Sequence, residues 1–205
     1  MTSISYNTIF AKPCEFVMGG ADLESLPPTE LNEIAFAGRS NVGKSSLVNA
    51  LTGRRTLAKA SNTPGRTRQI NFFNLASVLM LVDLPGYGYA KAPKKEVAAW
   101  TKLVKDYLSG RPNLRRVCLL IDSRHGIKEV DREIMSMLDK TAVNYQIVLT
   151  KTDKIKPTAL KEITEAAYLI IKKHPAAHPQ IIATSSESKE GIELLREQLA
   201  EFAVV

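Results

Sequence analysis

Hydrophobic positions along the chain change period in a regular order. Short, nearly continuous apolar runs stand at 33–38 (EIAFAG), 70–75 (INFFNL), 78–84 (VLMLVDL), 115–122 (RRVCLLID), 145–150 (YQIVLT) and 180–185 (QIIATS). Each is long enough for a strand and too short for a helix. Between them, apolar residues recur at helical spacing over 43–52, 94–109, 128–141, 157–173 and 189–202. In the second of these Val97, Trp100, Leu103, Val104 and Leu108 fall on one face, expected to pack in a core. Strands alternating with helices predict an α/β domain: a mostly parallel six-stranded sheet with helices on both faces. The runs at 70–75 and 78–84 are separated by so few residues that they form a hairpin, predicting one antiparallel strand at a sheet edge.

Three stretches lack periodicity. Residues 1–33 contain ESLPPTE and read as an N-terminal extension that adds a strand or stays mobile, placing the main domain at 34–205. Residues 53–69 (GRRTLAKASNTPGRTRQ) and 85–95 (PGYGYAKAPKK) are polar, and long loops of this kind in compact domains are usually functional or disordered.

Those loops join a set of boxes that carry chemistry. GRSNVGKSS, 38–46, follows one apolar run and opens a helix. It places Gly38, Gly43, Lys44 and Ser45 in the pattern of a phosphate-binding loop. Glycines let successive backbone N–H groups point at phosphate oxygens, and the helix N-terminus adds a positive dipole end. Lys44 then reaches the β- and γ-phosphates, and the Ser45 hydroxyl suits Mg2+. DLPG, 83–86, ends another run: Asp83 would hold Mg2+ through water, and the Gly86 N–H would meet a γ-phosphate. TKTD, 150–153, follows a third run. Asp153 can accept two hydrogen bonds from the N1–H and N2–H2 edge of guanine, which adenine lacks, while the Lys151 stem lies along the purine face. Backbone N–H groups of ATSSES, 183–188, near Ser185 and Ser186 would meet guanine O6. In the polar loop, Thr67 of PGRT offers a second hydroxyl for Mg2+, closing the loop only around a γ-phosphate.

The boxes run in the order of the translation-factor-like GTPases. GRSNVGKSSLVNAL, TPGRTRQINFF, DLPGYGYAK and TKTDK together resemble the EngB family (also called YihA or YsxC) of bacterial GTP-binding proteins, over nearly the whole chain. Era-like relatives share PGxT but usually continue TRD and carry RNA-binding domains. The resemblance implies a GTP-binding switch that depends on Mg2+, acts in assembly of the large ribosomal subunit, and is needed for normal cell division and septation. Nucleotide contacts are expected from Gly38, Arg39, Ser40, Asn41, Val42, Gly43, Lys44 and Ser45; from Gly65, Arg66, Thr67, Arg68 and Gln69; from Asp83, Leu84, Pro85 and Gly86; and from Thr150, Lys151, Thr152, Asp153, Thr184, Ser185 and Ser186. Lys44 and Asn41 are the catalytic candidates, Ser45 and Thr67 the metal ligands.

Tyr87 stands where Ras-like proteins carry a water-orienting Gln, and a phenol is no base near neutrality. Slow intrinsic hydrolysis is therefore expected, assisted by a partner or by K+. Asn41 is either the residue that holds K+ beside the phosphates or a loop residue that caps the turn.

The chain has 205 residues, 28 Lys and Arg against 21 Asp and Glu, and a formal charge of +7. Arg39, Arg54, Arg55, Lys59, Arg66, Arg68, Lys91, Lys94 and Lys95 lie in or beside the phosphate loop and the polar loops, and Arg111, Arg115, Arg116 and Arg124 near later element ends. Loops after parallel strands share one face, so this placement favours contact with an RNA backbone, against the alternative of scattered solvated charge. A protein partner in division and a metabolic kinase on the same phosphate loop remain competing readings, the kinase disfavoured by TKTD. Cys14 and Cys118 show no metal or redox spacing, and the three histidines none either. No apolar run nears a membrane span, and the N-terminus lacks a signal peptide's apolar stretch, so a cytoplasmic monomer is expected.

Overall fold

The computed structural model describes residues 6–54, 57, 69–88 and 94–204; for 6, 7 and 94–100 the backbone alone is described. Its strands are β1 (Cys14–Gly20), β2 (Glu33–Gly38), β3 (Ile70–Leu75), β4 (Leu79–Asp83), β5 (Leu114–Asp122), β6 (Tyr145–Thr150) and β7 (Ile182–Ala183). Its helices are α1 (Tyr6–Ala11), α2 (Lys44–Thr52), α3 (Lys94–Gly110), α4 (Glu129–Lys140), α5 (Pro157–Ile171) and α6 (Ile192–Ala200). One sheet runs in the order β1-β3-β4-β2-β5-β6-β7.

The central strands are buried on both faces, which is why they read as unbroken apolar runs. Alternate residues part to opposite sides. Ile34, Phe36, Leu81 and Leu120 face one core with Leu47 and Leu51 of α2 and Leu195 and Leu199 of α6. Ala35, Ala37, Val82 and Leu119 face the other with Leu103 and Tyr107 of α3 and Met135 and Leu138 of α4. Leu103, Val104 and Leu108 are buried as the helical spacing predicts, while the Val97 and Trp100 side chains lie outside the described residues.

Two expectations change. The sheet has seven strands, and β3, the strand that runs against the others, is not the edge. The N-terminal extension supplies β1, which pairs antiparallel with β3 and takes the edge. Its apolar signal is weak for a physical reason: an edge strand needs little burial. Phe16 and Val17 are exposed, and the register slips between Phe16 and Met18. β7 spans only two residues, although Thr184 after it stays bonded to the β6 side, its N–H donating to the Leu149 carbonyl at 2.7 Å and its carbonyl accepting the Thr152 N–H at 3.3 Å. The hairpin itself stands, turning through left-handed Ala76 and Ser77 with φ of 57° and 58°. No described helix is long and apolar enough to cross a membrane.

Candidate guanine nucleotide site

β2, β4, β6 and β7 all run in one direction, so their C-terminal ends bring the sequence boxes to one edge of the sheet. The phosphate loop leaves β2 at Gly38, turns through left-handed Asn41 (φ 63°), and enters α2 at Gly43. Gly43 has φ 104° and ψ 17°, a conformation that side-chain-bearing residues rarely adopt. Lys44 and Ser45 form the first turn of α2. The Lys44 ammonium donates to Asp83 Oδ1 at the end of β4, in a pair largely shielded from solvent.

The segment after Asp83 lies directly against the phosphate loop. The Ser40 N–H donates to the Tyr87 carbonyl at 3.0 Å, and the Tyr87 N–H to the Gly38 carbonyl at 3.2 Å. A Cβ on Gly86 would fall 3.2 Å from the Ser40 backbone, a tight approach at which any other residue needs the loop to give slightly. Tyr87 is buried, and its hydroxyl donates to Asp131 Oδ1 at 2.8 Å. Burial, then the Asp131 carboxylate, pushes this phenol well above its ordinary pKa. Asp131 also accepts the Lys128 N–H at 2.8 Å, capping α4, and pairs with Arg39 Nε at 3.4 Å.

TKTD forms the end of β6 and a 3-10 turn over Thr152–Lys154. The Thr150 hydroxyl donates to the Val42 carbonyl at 2.6 Å, and Lys151 Nζ to the Asn41 carbonyl at 2.6 Å. The base loop is thus bonded to the phosphate loop. Asp153 Oδ1 accepts the Ser185 hydroxyl at 2.7 Å, and Ser185 Oγ accepts the Ser188 N–H at 3.0 Å. The Ser185 bond, then one from Lys154, lowers the Asp153 pKa and keeps it an ionised acceptor. Gly43, Ser46, Thr150, Lys151, Asp153 and Ser186 line part of a cleft of about 780 Å³, closed on its far side by α6.

The structure therefore gathers Gly38, Arg39, Ser40, Asn41, Val42, Gly43, Lys44, Ser45, Asp83, Leu84, Pro85, Gly86, Thr150, Lys151, Thr152, Asp153, Thr184, Ser185 and Ser186 around one edge of the sheet. Gln69 is exposed at the start of β3, its side chain close to Gly19 of β1. Gly65, Arg66, Thr67 and Arg68 lie outside the described residues.

The charge distribution is narrower than the sequence suggests. Arg111 forms an ion pair with buried Glu33 at the opposite end of β2, 2.6 Å apart. Arg115 donates to Asn32, and Arg116 to Asn144 and Gln146, at that same far end. Arg111 precedes β5, and Arg115 and Arg116 lie in its first three residues, so all three stand at the end away from the nucleotide face. Arg124 remains on it, paired with Asp122. Arg55, Lys59, Arg66, Arg68 and Lys91 and the side chains of Lys94 and Lys95 lie outside the described residues.

Asp122, Asp131 and Glu33 are the polar residues that motif reading passes over. Asp122 carried one usable signal, since it ends a buried strand just as Asp83 does. Burial raises its pKa, but hydrogen bonds from Arg124 and Lys151 outweigh that and hold it well below the usual carboxylate range. Cys118 is fully buried, its thiol pushed up to about 12 by desolvation, and Cys14 likewise.

A phosphate-binding loop on a mostly parallel sheet, an aspartate at the next strand end and an aspartate lining the neighbouring cleft fit a P-loop GTPase. The family described as "50S ribosome-binding GTPase" matches residues 33–151. A protein of Rhodospirillum rubrum called "Probable GTP-binding protein EngB" is 60% identical over 200 residues, covering 95% of this chain and 87% of that one. One of Cereibacter sphaeroides with the same name is 56% identical over 188 residues, covering 92% and 87%. The chain belongs to the EngB family of GTP-binding proteins and is a GTPase. Among solved structures, "a probable GTP-binding protein engB" superposes with a TM-score of 0.67 at 24% identity, covering 83% of this chain and 97% of that one. Era bound to MgGDPNP and a 16S ribosomal RNA segment gives 0.67 at 23% identity, covering 85% and 57%. Both likenesses show the fold.

Proposed function

We propose that the chain is a GTP-gated switch, cytoplasmic and monomeric, that acts in large ribosomal subunit assembly and is required for normal division and septation. The observation that carries the switch is contact between the γ-phosphate-sensing turn and a distant element: Tyr87 follows Gly86 and bonds Asp131 at the start of α4. The ribosomal destination draws support from the family's description and from Era, a structural neighbour solved with ribosomal RNA.

In this reading Lys44 offsets charge on the β- and γ-phosphates, and the Gly86 N–H meets the γ-phosphate. Asp153 accepts from the guanine edge, with Ser185 and Ser186 backbone at O6. Ser45 is the Mg2+ ligand, with Thr67 as the second hydroxyl and Asp83 acting through water. The residues suit that ion: they offer hydroxyl and carboxylate oxygens, and no cluster of three or more His, Cys, Asp or Glu competes among the described residues. Mg2+ would supply charge neutralisation at the phosphates. Tyr87, committed to Asp131, supplies no base, so intrinsic hydrolysis is slow and K+ at Asn41 or the partner assists it.

The test is co-sedimentation with purified large subunits at rising salt, with GDP and with a non-hydrolysable GTP analogue. Stronger binding with the analogue and a steep loss with salt are expected, because phosphate contacts release counterions. A second reading, a protein partner, is favoured by an apolar cleft of about 420 Å³ between Leu84–Gly88, α3 and α4. Nucleotide-gated binding that is insensitive to salt would support it.

A further inference from the structure

β5 ends on Asp122, a nearly buried carboxylate that no motif assigns to the nucleotide. Arg124 donates from Nε to its Oδ1 at 2.9 Å and from Nη2 to its Oδ2 at 2.7 Å, and the Arg124 N–H adds a bond at 3.0 Å. Lys151 Nζ lies 3.0 Å from the same Oδ2. The register brings the two residues together: Asp122 pairs with Thr150, immediately before Lys151.

Lys151 is held at both of its ends. Its backbone is left-handed, with φ 59°. Its stem passes the phosphate loop, where a Cβ on Gly43 would fall 3.6 Å from Lys151 Cε. Its ammonium reaches on to the Asn41 carbonyl at 2.6 Å. One side chain therefore spans the base loop, the end of β5 and the left-handed turn of the phosphate loop. A lysine stem is intrinsically mobile and loses much rotamer freedom when fixed. Asp122 is a charged acceptor that fixes it, and Arg124 in turn fixes Asp122 with a two-pronged contact.

We propose that Asp122 is a positioning residue for guanine nucleotide binding, holding the Lys151 stem along the purine face and, through the Asn41 carbonyl, the turn of the phosphate loop. The inference rests on the guanine reading of this cleft. Its effect falls on affinity, because Asp122 acts through Lys151.

The experiment is equilibrium titration of the full chain with fluorescent GDP, in wild type, Asp122→Asn, Lys151→Met and the double variant. Asp122→Asn keeps the shape and removes the charge. It is expected to weaken GDP about tenfold, the scale of one charge-assisted hydrogen bond. Lys151→Met keeps the stem and removes the ammonium, and is expected to weaken GDP by at least as much. The double variant is expected to be no weaker than Lys151→Met alone, since Asp122 acts only through that ammonium. A merely structural role would instead add a second loss. Wild-type affinity in Asp122→Asn, or losses that multiply in the double variant, would overturn the proposal. If Asp122→Asn folds poorly, Lys151→Met decides alone, because it leaves Asp122 bonded to Arg124: unchanged GDP affinity there also overturns it. Titration of wild type with fluorescent ADP separates the two readings. Loss of the preference for GDP over ADP refutes the guanine site itself, whereas an intact preference with a silent Asp122→Asn refutes only the positioning role.

Discussion

Tyr87 shows how one side chain can carry two messages. Its place after DLPG invites comparison with a catalytic glutamine, yet its hydroxyl is bonded to a carboxylate that is 0% exposed. Tyr87→Phe should therefore leave hydrolysis at saturating GTP near wild type while costing about 1 kcal/mol of stability, the usual worth of one buried hydrogen bond. Single-turnover rates and urea midpoints check both parts, and a collapse of the rate would restore a chemical role to the phenol. At the base cleft, Asp153→Asn exchanges a two-oxygen acceptor for a side chain with one acceptor and one donor group. Affinity for guanine nucleotides should fall and that for xanthine nucleotides, which carry O2 in place of the amine, should rise. Competition between GDP and XDP reads the ratio directly.

Among the elements, the buried strands and the helices were legible because burial on both faces and helical periodicity write themselves into composition. β2, β3 and β6 fall where the apolar runs stand, and the phosphate loop, DLPG, TKTD and ATSSES fall at strand ends on one edge. β1 was legible only as one of two readings of the N-terminal extension, since Glu15, Phe16 and Val17 are exposed on an edge strand and its stability comes from pairing with β3. The arginines misled for a related reason: charge in a sequence carries no sign of which end of the sheet it reaches. Arg111 illustrates it, reaching Glu33, the Pro27 carbonyl and the ring face of Phe72. Arg111→Met leaves Glu33 buried without its cation and should cost about 3–5 kcal/mol. Denaturant unfolding measures this, and a loss below about 1 kcal/mol would place Glu33 in contact with water.

For the molecule as a whole, alkaline pH enters through the buried thiols of Cys14 and Cys118 and the buried phenols Tyr87, Tyr107 and Tyr145. Burial, followed by a neighbouring carboxylate, raises both Tyr87, beside Asp131, and Tyr107, beside Glu33. A pKa raised in the folded state means that this contribution is complete below the unfolded phenol value of about 10 and is lost as pH climbs above it. Stability should thus begin to fall near pH 9, where the thiols enter, and fall further beyond about pH 10, less steeply there in Tyr87→Phe, as urea midpoints across that range would record. The proposed monovalent cation would act at the same scale. Turnover in KCl should exceed turnover in NaCl if Asn41 holds K+, and equal rates leave Asn41 as a turn residue, a role its left-handed backbone also suits.

The central claim is that the γ-phosphate is read at Gly86 and passed through Tyr87 to Asp131 and α4. Amide hydrogen exchange with GDP and with a non-hydrolysable GTP analogue, each with Mg2+, tests it most directly. The account predicts altered protection at 83–88 and at the first turn of α4, with β5 and β6 unchanged. Identical exchange at 83–88 and at α4 in the two states would contradict it.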